Sequence, residues 1–455
     1  MSRLALHIND AGITVSDGRQ IVYRQPGFAY LGGESLETGN RAFARSRIDP
    51  RRIQHRYWDQ LDTRPLADRR FSHLSAADLA STQLEELWEA VGQGVRELVV
   101  AAPAYMSTEA LGLFLGISAE LGLPVVAIVD APVAATRREY QGGVPVHIDL
   151  SLHRATLTRL AQPGMTQSDR TEVIDDAGVY ALYDTWLTTV AEAFVLQSRF
   201  DPLHTAETEQ MLLDRLGGWL AEATRRDRVS MQVESGSHTY VAEVESLALI
   251  GAAAPVYQQI AMRLRSLFRA EDVPAIQVTN RLARLPGLTD MLKARAGGEI
   301  FVLEPGATAR GAFDRCRGSA NGSTGVSLLR QLPWDQSPID MHQHAEDSVA
   351  AGVPTHLLFG HTAYAIAANP LVIGSQGGTD GRLLTVGSAM PGVSRRHCSL
   401  ANKNGQCIIE DHSRYGTFLN GHRIDGSAVL QVGDGLRIGS PGFEFQLISA
   451  ENAHG

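Results

Sequence analysis

Over residues 1–318, short apolar runs alternate with longer segments whose apolar residues recur every three or four positions. The run 98–102 (LVVAA) predicts a buried strand, and Ser107 predicts the N-cap of a helix over 111–121. A second apolar run at 125–129 (VVAIV) predicts the next strand, and the residues from Asp130 onward open a further helix. Alternation of strands and helices is typical of an α/β fold.

Two β-hairpins are predicted about 140 residues apart in this region. The first joins apolar runs at 4–8 and 13–15, and the second joins runs at 146–150 and 155–160. Because the two hairpins are similar, the sequence predicts a duplicated fold with a cleft between its halves.

The composition changes near residue 318. Residues 318–325 (GSANGSTG) are small and polar, and Pro333 and Pro338 follow in a segment with acidic and histidine residues. This composition predicts a linker that proline stiffens in places, between two domains that fold independently. The predicted division is an α/β domain at 1–318, a linker at 319–352 and a second domain at 353–450.

Short apolar segments beyond residue 353 predict β-strands joined by two polar loops. The first loop is 394–397 (SRRH), and the second is 411–421 (DHSRYGTFLNG). The loops bring together hydroxyls, guanidiniums and backbone amides next to glycine, with no acid–base pair beside them. Such groups hold a phosphate through charge-assisted and backbone hydrogen bonds, and they lack the means to transfer one.

These loops resemble the forkhead-associated (FHA) family, an all-β sandwich that binds phosphothreonine peptides. The resemblance covers about the last hundred residues and rests on four ordered pieces. They are Ile373-Gly374, the loop 394–397, the pattern SxxGTFxNG at 413–421, and GDxLxIG at 433–439.

The resemblance implies a role for each loop residue. Ser394 falls where the family's serine contacts the phosphate, and Arg395, Ser413 and Arg414 are the neighbouring candidates for phosphopeptide binding. The implied structural residues, which shape or brace the loops, are Gly374, His397, Gly416, Thr417 and Asn420. Of these, Asn420 opens a predicted type I′ turn with Gly421.

Two residues depart from the family pattern. Ser375 stands where the family has a phosphate-binding arginine, and Tyr415 stands where an asparagine usually holds the peptide backbone. A charge-assisted hydrogen bond contributes about 1.5–3 kcal/mol, so the missing guanidinium matters. Arg382, Arg395 or Arg414 is the candidate replacement. The alternative is a sandwich that keeps the fold and binds an unphosphorylated partner.

Five pieces of the upstream region carry a second resemblance. They are, in order, 99–105 (VVAAPAY), 119–123 (AELGL), 130–135 (DAPVAA), 282–287 (LARLPG) and 304–312 (EPGATARGA). In this order they resemble the actin-like ATPase superfamily, and within it the seventy-kilodalton heat-shock chaperone. The resemblance implies a duplicated, ribonuclease H-like fold with a nucleotide cleft.

The implied nucleotide cleft is degenerate in sequence. Asp149 matches the family, but side chains replace the glycines of the phosphate loops at 9–11 and 151–154, and Asn280-Arg281 replaces the glycines of the purine loop. Asp149, Asn280 and Arg281 are therefore interpreted as remnants of the cleft. Glycine lets backbone amides approach phosphate closely, so its loss predicts no ATP hydrolysis and no ATP or Mg²⁺ cofactor.

Composition and charge limit the partners and the compartment. The net charge is −9, and the acidity lies before Thr355, because basic and acidic residues are equal in number from there on. An acidic body argues against nucleic acid as a partner. Cysteines without a pairing pattern, the lack of a signal peptide and the lack of a long apolar run predict a cytoplasmic protein with no membrane span.

No metal site is predicted. His342, His344 and Glu346 have a spacing that metal sites use, but no fourth ligand lies nearby in the sequence. They are interpreted as solvated linker residues, and the three cysteines show no metal-binding spacing either.

Three functions agree with these patterns. The first is a non-catalytic adaptor or scaffold whose FHA domain binds a phosphothreonine-containing partner while a pseudo-ATPase body mediates assembly. It implies a Ser/Thr kinase and a signalling role. The second is an ATP-dependent, chaperone-like switch, against which the eroded loops argue. The third is a structural scaffold with phosphate-independent binding, against which Ser394 and its arginines argue. The first is favoured, with no catalytic residue.

Overall fold

The computed structural model describes most of the chain in two compact units. The first unit comprises Met1–Thr136, Val146–Arg269 and Ile276–Pro333, and the second comprises Arg137–Pro145, Ala270–Ala275 and Trp334–Gly455. The described residues are 2–32, 36–316, 326–335, 353–359, 362–376, 382–386, 392–403, 406–419, 422–432, 434–439 and 442–448. Asn420 and the three candidate metal ligands of the predicted linker lie outside them.

The part of the chain up to Pro333 mixes strands and helices, as the sequence predicts. Its strands are β1 (Ser2–His7), β2 (Ile13–Ser16), β3 (Ile21–Gln25), β4 (Ala29–Leu31), β5 (Leu36–Thr38), β6 (Ile53–Gln54), β7 (Val95–Ala102), β8 (Val125–Asp130), β9 (Val144–Leu150), β10 (Arg154–Ala161), β11 (Thr166–Asp175), β12 (Arg228–Ser235), β13 (His238–Glu245), β14 (Pro274–Val278), β15 (Glu299–Val302), β16 (Ser327–Leu329) and β17 (Gln331–Leu332).

Some of the described helices begin at a residue whose side chain caps them. Ser107 accepts a hydrogen bond from the Ala110 amide at 3.2 Å, which confirms the predicted N-cap. Ser75 and Asp78 form a capping box at the start of another helix. The helices are α1 (Gly39–Phe43), α2 (Ala76–Val91), α3 (Thr108–Glu120), α4 (Ala131–Ala135), α5 (Val179–Ser198), α6 (Ala206–Ala223), α7 (Ser246–Ser266), α8 (Leu288–Ala296) and α9 (Ala307–Arg315), with short 3₁₀ turns at Pro50–Arg52, Arg69–Phe71 and Leu282–Arg284.

Two large sheets in the first unit share the order of five strands, and the sixth strand lies at opposite edges, with β16 beside β8 and β17 beside β11. The first sheet runs β16-β8-β7-β1-β2-β3, and the second runs β15-β14-β9-β10-β11-β17. In each, three consecutive strands form an antiparallel meander, and the fourth strand lies beside the first strand of that meander. The two predicted hairpins are confirmed. They are β1–β2 and β9–β10, and each forms the first two strands of the meander in its sheet.

Side chains on the two faces of the first sheet pack in two different hydrophobic cores. Leu6 of β1 and Val100 of β7 pack in one cluster, whereas Ala5 and Val99 pack in another with small residues of α4 and α9. A strand buried on both faces has no polar side, which explains the unbroken apolar run at 98–102.

Part of the predicted linker is regular structure. β16 pairs in parallel with β8, and β17 pairs with β11, so residues 327–332 add one strand to each large sheet. The polar composition around them concealed these strands because each has only two or three residues.

The second unit contains a β-sandwich. One sheet runs β19-β18-β28-β27-β24-β25, and the other runs β21-β20-β22-β23-β26. Their inward side chains, such as Ile373, Leu400, Leu436 and Phe445, form one buried core. The strands are β18 (His356–Phe359), β19 (Thr362–Ala365), β20 (Leu371–Gly374), β21 (Arg382–Thr385), β22 (Cys398–Lys403), β23 (Gln406–Asp411), β24 (Thr417–Leu419), β25 (His422–Arg423), β26 (Ser427–Leu430), β27 (Gly435–Ile438) and β28 (Phe443–Ile448).

The second unit extends beyond the range 353–450 that the sequence predicts for it. It includes Arg137–Pro145, whose Arg138 forms an ion pair of 2.9 Å with Glu444 of β28. Both side chains are largely buried, at 10% and 14% exposure, so this pair lies in a poorly solvated place. This ion pair between Arg138 and Glu444 lies within the second unit, and the sequence alone did not predict it.

Candidate functional site

The first polar loop lies close against the end of β20. A Cβ atom at Gly374 would lie 1.9 Å from the carbonyl oxygen of Arg395, so only glycine allows the loop this approach. The Ser375 amide then donates a hydrogen bond of 3.0 Å to the Ser394 carbonyl. Together these contacts fix the backbone of the loop at 392–397, which we call the Ser394 loop.

The second polar loop, at 411–416, meets the first through Ser394. Its side-chain oxygen accepts a hydrogen bond of 3.1 Å from the backbone amide of Arg414. Ser394, Arg414 and Ser413, three of the residues proposed from sequence, are thus brought to one place by two loops from different strands. We call the second segment the Ser413 loop.

His397 connects both loops from inside the sandwich. It is fully buried, its Nδ1 accepts the Ser394 amide at 3.1 Å, and its Nε2 lies 3.1 Å from the Gly416 carbonyl. These partners require a neutral ring with its proton on Nε2. Burial lowers the pKa of His397, in agreement with that form.

The Ser413 loop is held by a carboxylate. Asp411 accepts hydrogen bonds from the Ser413 amide at 3.0 Å and the Thr417 hydroxyl at 2.8 Å. Partial burial raises the pKa of Asp411, but the hydrogen bonds from Ser413 and Thr417 outweigh it and hold the pKa below its usual range. The Gly416 amide in turn donates to the Ser413 side-chain oxygen at 2.7 Å. These hydrogen bonds lie within the protein and therefore hold the loop without a ligand.

The FHA domain family model matches residues 371–439. This part of the chain is an FHA domain. No curated protein matches the chain. FHA domains bind phosphothreonine-containing partners, and the matched range contains both polar loops.

The arginines proposed for the FHA site differ in position. Arg395 and Arg414 are exposed on the two loops. Arg382 lies at the start of β21, opposite Leu371, while Gly374 at the loop end is opposite Thr385. Three residues along a strand span about 10 Å. The Arg382 guanidinium donates to the Ala365 carbonyl, so the structure does not bring it to Ser394.

Arg423 is a cation near the FHA loops that the sequence reasoning missed. A Cβ atom at Gly416 would lie 2.6 Å from Arg423 Nε, so the guanidinium stem lies directly on this glycine, whose φ is +96°. A signal was present in the sequence. The turn predicted at 420–421 implies that 418 pairs with 423, on the face shared by 416 and 418, and β24 and β25 show this pairing.

The implied nucleotide cleft of the first unit is crossed by side chains. Arg281 donates to the Asn9 side-chain oxygen and to the Leu150 carbonyl, both at 2.9 Å. Asn9 also donates to Asp149 at 2.7 Å, and Thr279 donates to the same carboxylate at 3.1 Å. Asp149 and Arg281, which the sequence analysis interprets as remnants of the cleft, therefore form hydrogen bonds with other groups of the protein.

Little space is left around these side chains. The cavity lined by His7, Asp149, Asn280 and Arg281 has a volume of about 60 Å³. Small-molecule sites usually have roughly 300–1,000 Å³. Burial lowers the pKa of His7 to about 4, so the ring is neutral and carries no charge for a phosphate.

Within the part of the chain that the structure describes, no helix is long and apolar enough to cross a membrane.

Proposed function

We propose that this protein is a non-catalytic adaptor whose FHA domain binds a phosphothreonine on a protein partner. A Ser/Thr kinase that modifies the partner would control the interaction. The first unit would serve as a pseudo-ATPase body of actin-like fold that mediates assembly without nucleotide chemistry.

The contact between Ser394 and Arg414 carries the proposal for the FHA domain. It joins the two loops at the position where the family resemblance puts the phosphate, and it leaves the hydroxyl proton of Ser394 available to donate. The surrounding loop is already fixed by His397 and Asp411, so little ordering is needed on binding. The exposed guanidiniums of Arg395 and Arg414 supply positive charge for a dianion.

Two observations support a non-catalytic body. The shared strand order of the two large sheets agrees with a duplicated, actin-like fold. The bonds from Arg281 and Asn9, together with the small cavity, leave the cleft without the open glycine loops that hold phosphates. Assembly, rather than hydrolysis, is therefore the role we assign to this unit.

The FHA proposal is tested with a peptide that binds the full chain in a peptide-library screen. The peptide is prepared with phosphorylated and with unphosphorylated threonine. Ser394→Ala removes one hydroxyl from a charged ligand, so we expect phosphopeptide affinity to fall by about 1–3 kcal/mol by calorimetric titration.

Ser230→Ala is the matched control, because Ser230 is exposed on β12 of the first unit and belongs to neither loop. It should leave the affinity unchanged. Equal binding of both peptide forms by the unmodified protein would mean that the domain recognises an unphosphorylated partner.

A further inference from the structure

We propose that an arginine patch on the first unit binds an acidic segment of a partner protein. The patch comprises Arg51, Arg52, Arg69 and Arg70. It would serve the assembly role that we propose for the first unit, so the inference rests on that role and deepens it with a surface and a partner chemistry. The FHA domain has no part in it.

The patch lies in a strongly basic stretch of an acidic chain. Residues 41–70 contain nine arginines and four aspartates, a net charge of +5, whereas the whole chain has a net charge of −9. All other residues together therefore carry −14. A local excess of positive charge in an acidic protein attracts a negatively charged partner to this one place.

Two turns that are separate in sequence bring the four arginines together. They are the 3₁₀ turns Pro50–Arg52 and Arg69–Phe71, and each contributes two arginines. The Arg70 guanidinium donates a hydrogen bond of 3.3 Å to the carbonyl of Arg51, so the two turns lie side by side. The sequence alone gives no sign of this contact, because 18 residues separate Arg51 from Arg70.

The two aspartates next to these turns are already engaged. Asp68 accepts hydrogen bonds from Nε and Nη2 of Arg70, at 3.1 and 2.6 Å. Asp49 lies 3.5 Å from the guanidinium of Arg52. Each aspartate thus has a guanidinium partner of its own within the patch.

The positive charge that is left over belongs to Arg51 and Arg69. Both are exposed, and neither forms an ion pair with any residue in the described part of the chain. The Arg70 guanidinium between them in sequence contact lies over the Phe71 ring, 5.2 Å from its centre, which helps to hold the second turn. Two guanidiniums are therefore available to carboxylates of a ligand, which they bind through paired hydrogen bonds.

The charge of the surroundings favours a short acidic segment over a long polyanion. Charges are screened beyond about 8 Å at physiological ionic strength, so a segment that contacts the patch alone is attracted to it. A nucleic acid strand or an anionic membrane extends beyond the patch, over a surface that belongs to residues with a net charge of −14. Repulsion there opposes the attraction of the patch.

The test uses the full chain and a fluorescent peptide of glutamate and alanine, with Gln in place of Glu in the control peptide. Fluorescence anisotropy at low ionic strength measures binding. We expect the Glu peptide to bind, the Gln peptide not to bind, and added salt to weaken the complex. Arg51→Gln combined with Arg69→Gln should weaken it about five- to tenfold, because exposed ion pairs are individually weak.

Arg225→Gln combined with Arg265→Gln is the matched control. Both arginines are exposed in the first unit and lie outside the patch, and the double variant has the same net charge as the patch variant. It should bind the Glu peptide as the unmodified protein does. Equal weakening in the two double variants would show an effect of overall charge and overturn the inference. Undiminished binding by the patch variant would do the same, because it would assign the peptide to another surface.

Two competitors separate the other anionic partners. They are a single-stranded DNA oligonucleotide and vesicles that contain phosphatidylserine. At equal concentrations of negative charge, we expect neither to displace the Glu peptide. Displacement by either one, together with binding of that competitor that the patch variant lacks, would identify a polyanion as the partner and overturn the acidic segment.

Failure of this inference differs from failure of the proposed function. If binding of the Glu peptide does not depend on the patch, but a phosphothreonine peptide still binds the same protein, the inference fails and the FHA adaptor function stands. If phosphorylation has no effect on peptide binding while the patch still selects Glu over Gln, the FHA proposal fails alone. Thermal melts of each double variant establish that the fold is intact.

Discussion

At the scale of single residues, His397 is fully buried and yet supports the FHA site, because it joins the two loops. The ring joins the amide of the Ser394 loop to a carbonyl of the Ser413 loop, and only the neutral form makes both bonds. A proton on Nδ1 would put two donors face to face at Ser394. The geometry of the loops therefore depends on the charge of one buried imidazole.

This dependence predicts an effect of pH on stability. The pKa of His397 is lowered in the folded state, so the unfolded state binds more protons below pH 6.5, the ordinary histidine value. The stabilisation is complete above that pH and is lost as the pH falls below it, by up to about 1.4 kcal/mol per pH unit for one proton.

Urea unfolding between pH 7.5 and pH 5 measures the effect, with His397→Gln as the variant that lacks the titrating group. The difference in unfolding free energy between the two proteins should shrink as the pH falls. A difference that stays constant with pH would show that His397 does not titrate in this range.

At the scale of elements, two hairpin turns meet in the first unit. The turn after β1 donates from Asn9 to Asp149 at the end of β9, and Asp10 accepts the amide of Leu152 at 2.6 Å. Arg281, beyond β14, bonds to the first turn and to Leu150. Hydrogen bonds of polar side chains therefore hold the turn of the first hairpin against the turn of the second.

Asn9→Ala should destabilise the first unit. Asn9 is 5% exposed, and its loss leaves both Asp149 and Arg281 short of a partner. We expect the unfolding free energy to fall by about 1–3 kcal/mol in urea titrations. Asn40→Ala, at an exposed position in α1, is the control and should have little effect. Equal behaviour of the two variants would mean that the turns are not coupled through Asn9.

At the scale of the whole molecule, the proposed adaptor function requires a first unit that does not respond to nucleotide. A ligand that binds only the folded state stabilises it by about 2.7 kcal/mol at a hundredfold excess over its dissociation constant. The cavity crossed by Arg281 has a volume of about 60 Å³, well below the roughly 300–1,000 Å³ of small-molecule sites, so we expect no nucleotide to bind there.

Thermal melts of the full chain with millimolar Mg-ATP should therefore superimpose on melts without it. The FHA transition serves as the internal control, because nucleotide has no site there in this proposal. A clear upward shift confined to the other transition, or steady release of phosphate, would instead favour the chaperone-like switch.

Local patterns in the sequence were sufficient for much of the molecule. Apolar runs and a capping serine predicted β7, α3 and β8, and paired runs predicted the hairpins that open both large sheets. The two polar loops predicted the FHA domain. These features depend on residues close together in the chain, where spacing alone fixes which side chains share a face.

Tertiary structure decided the rest, because the deciding contacts join distant positions. Asn9 and Arg281 are 272 residues apart, and only folding shows that their side chains occupy the cleft. Folding also sends Arg382 away from Ser394, lays Arg423 on Gly416 and turns 327–332 into edge strands. A sequence pattern specifies which elements form, whereas the direction of a long side chain depends on what the folded chain puts beside it.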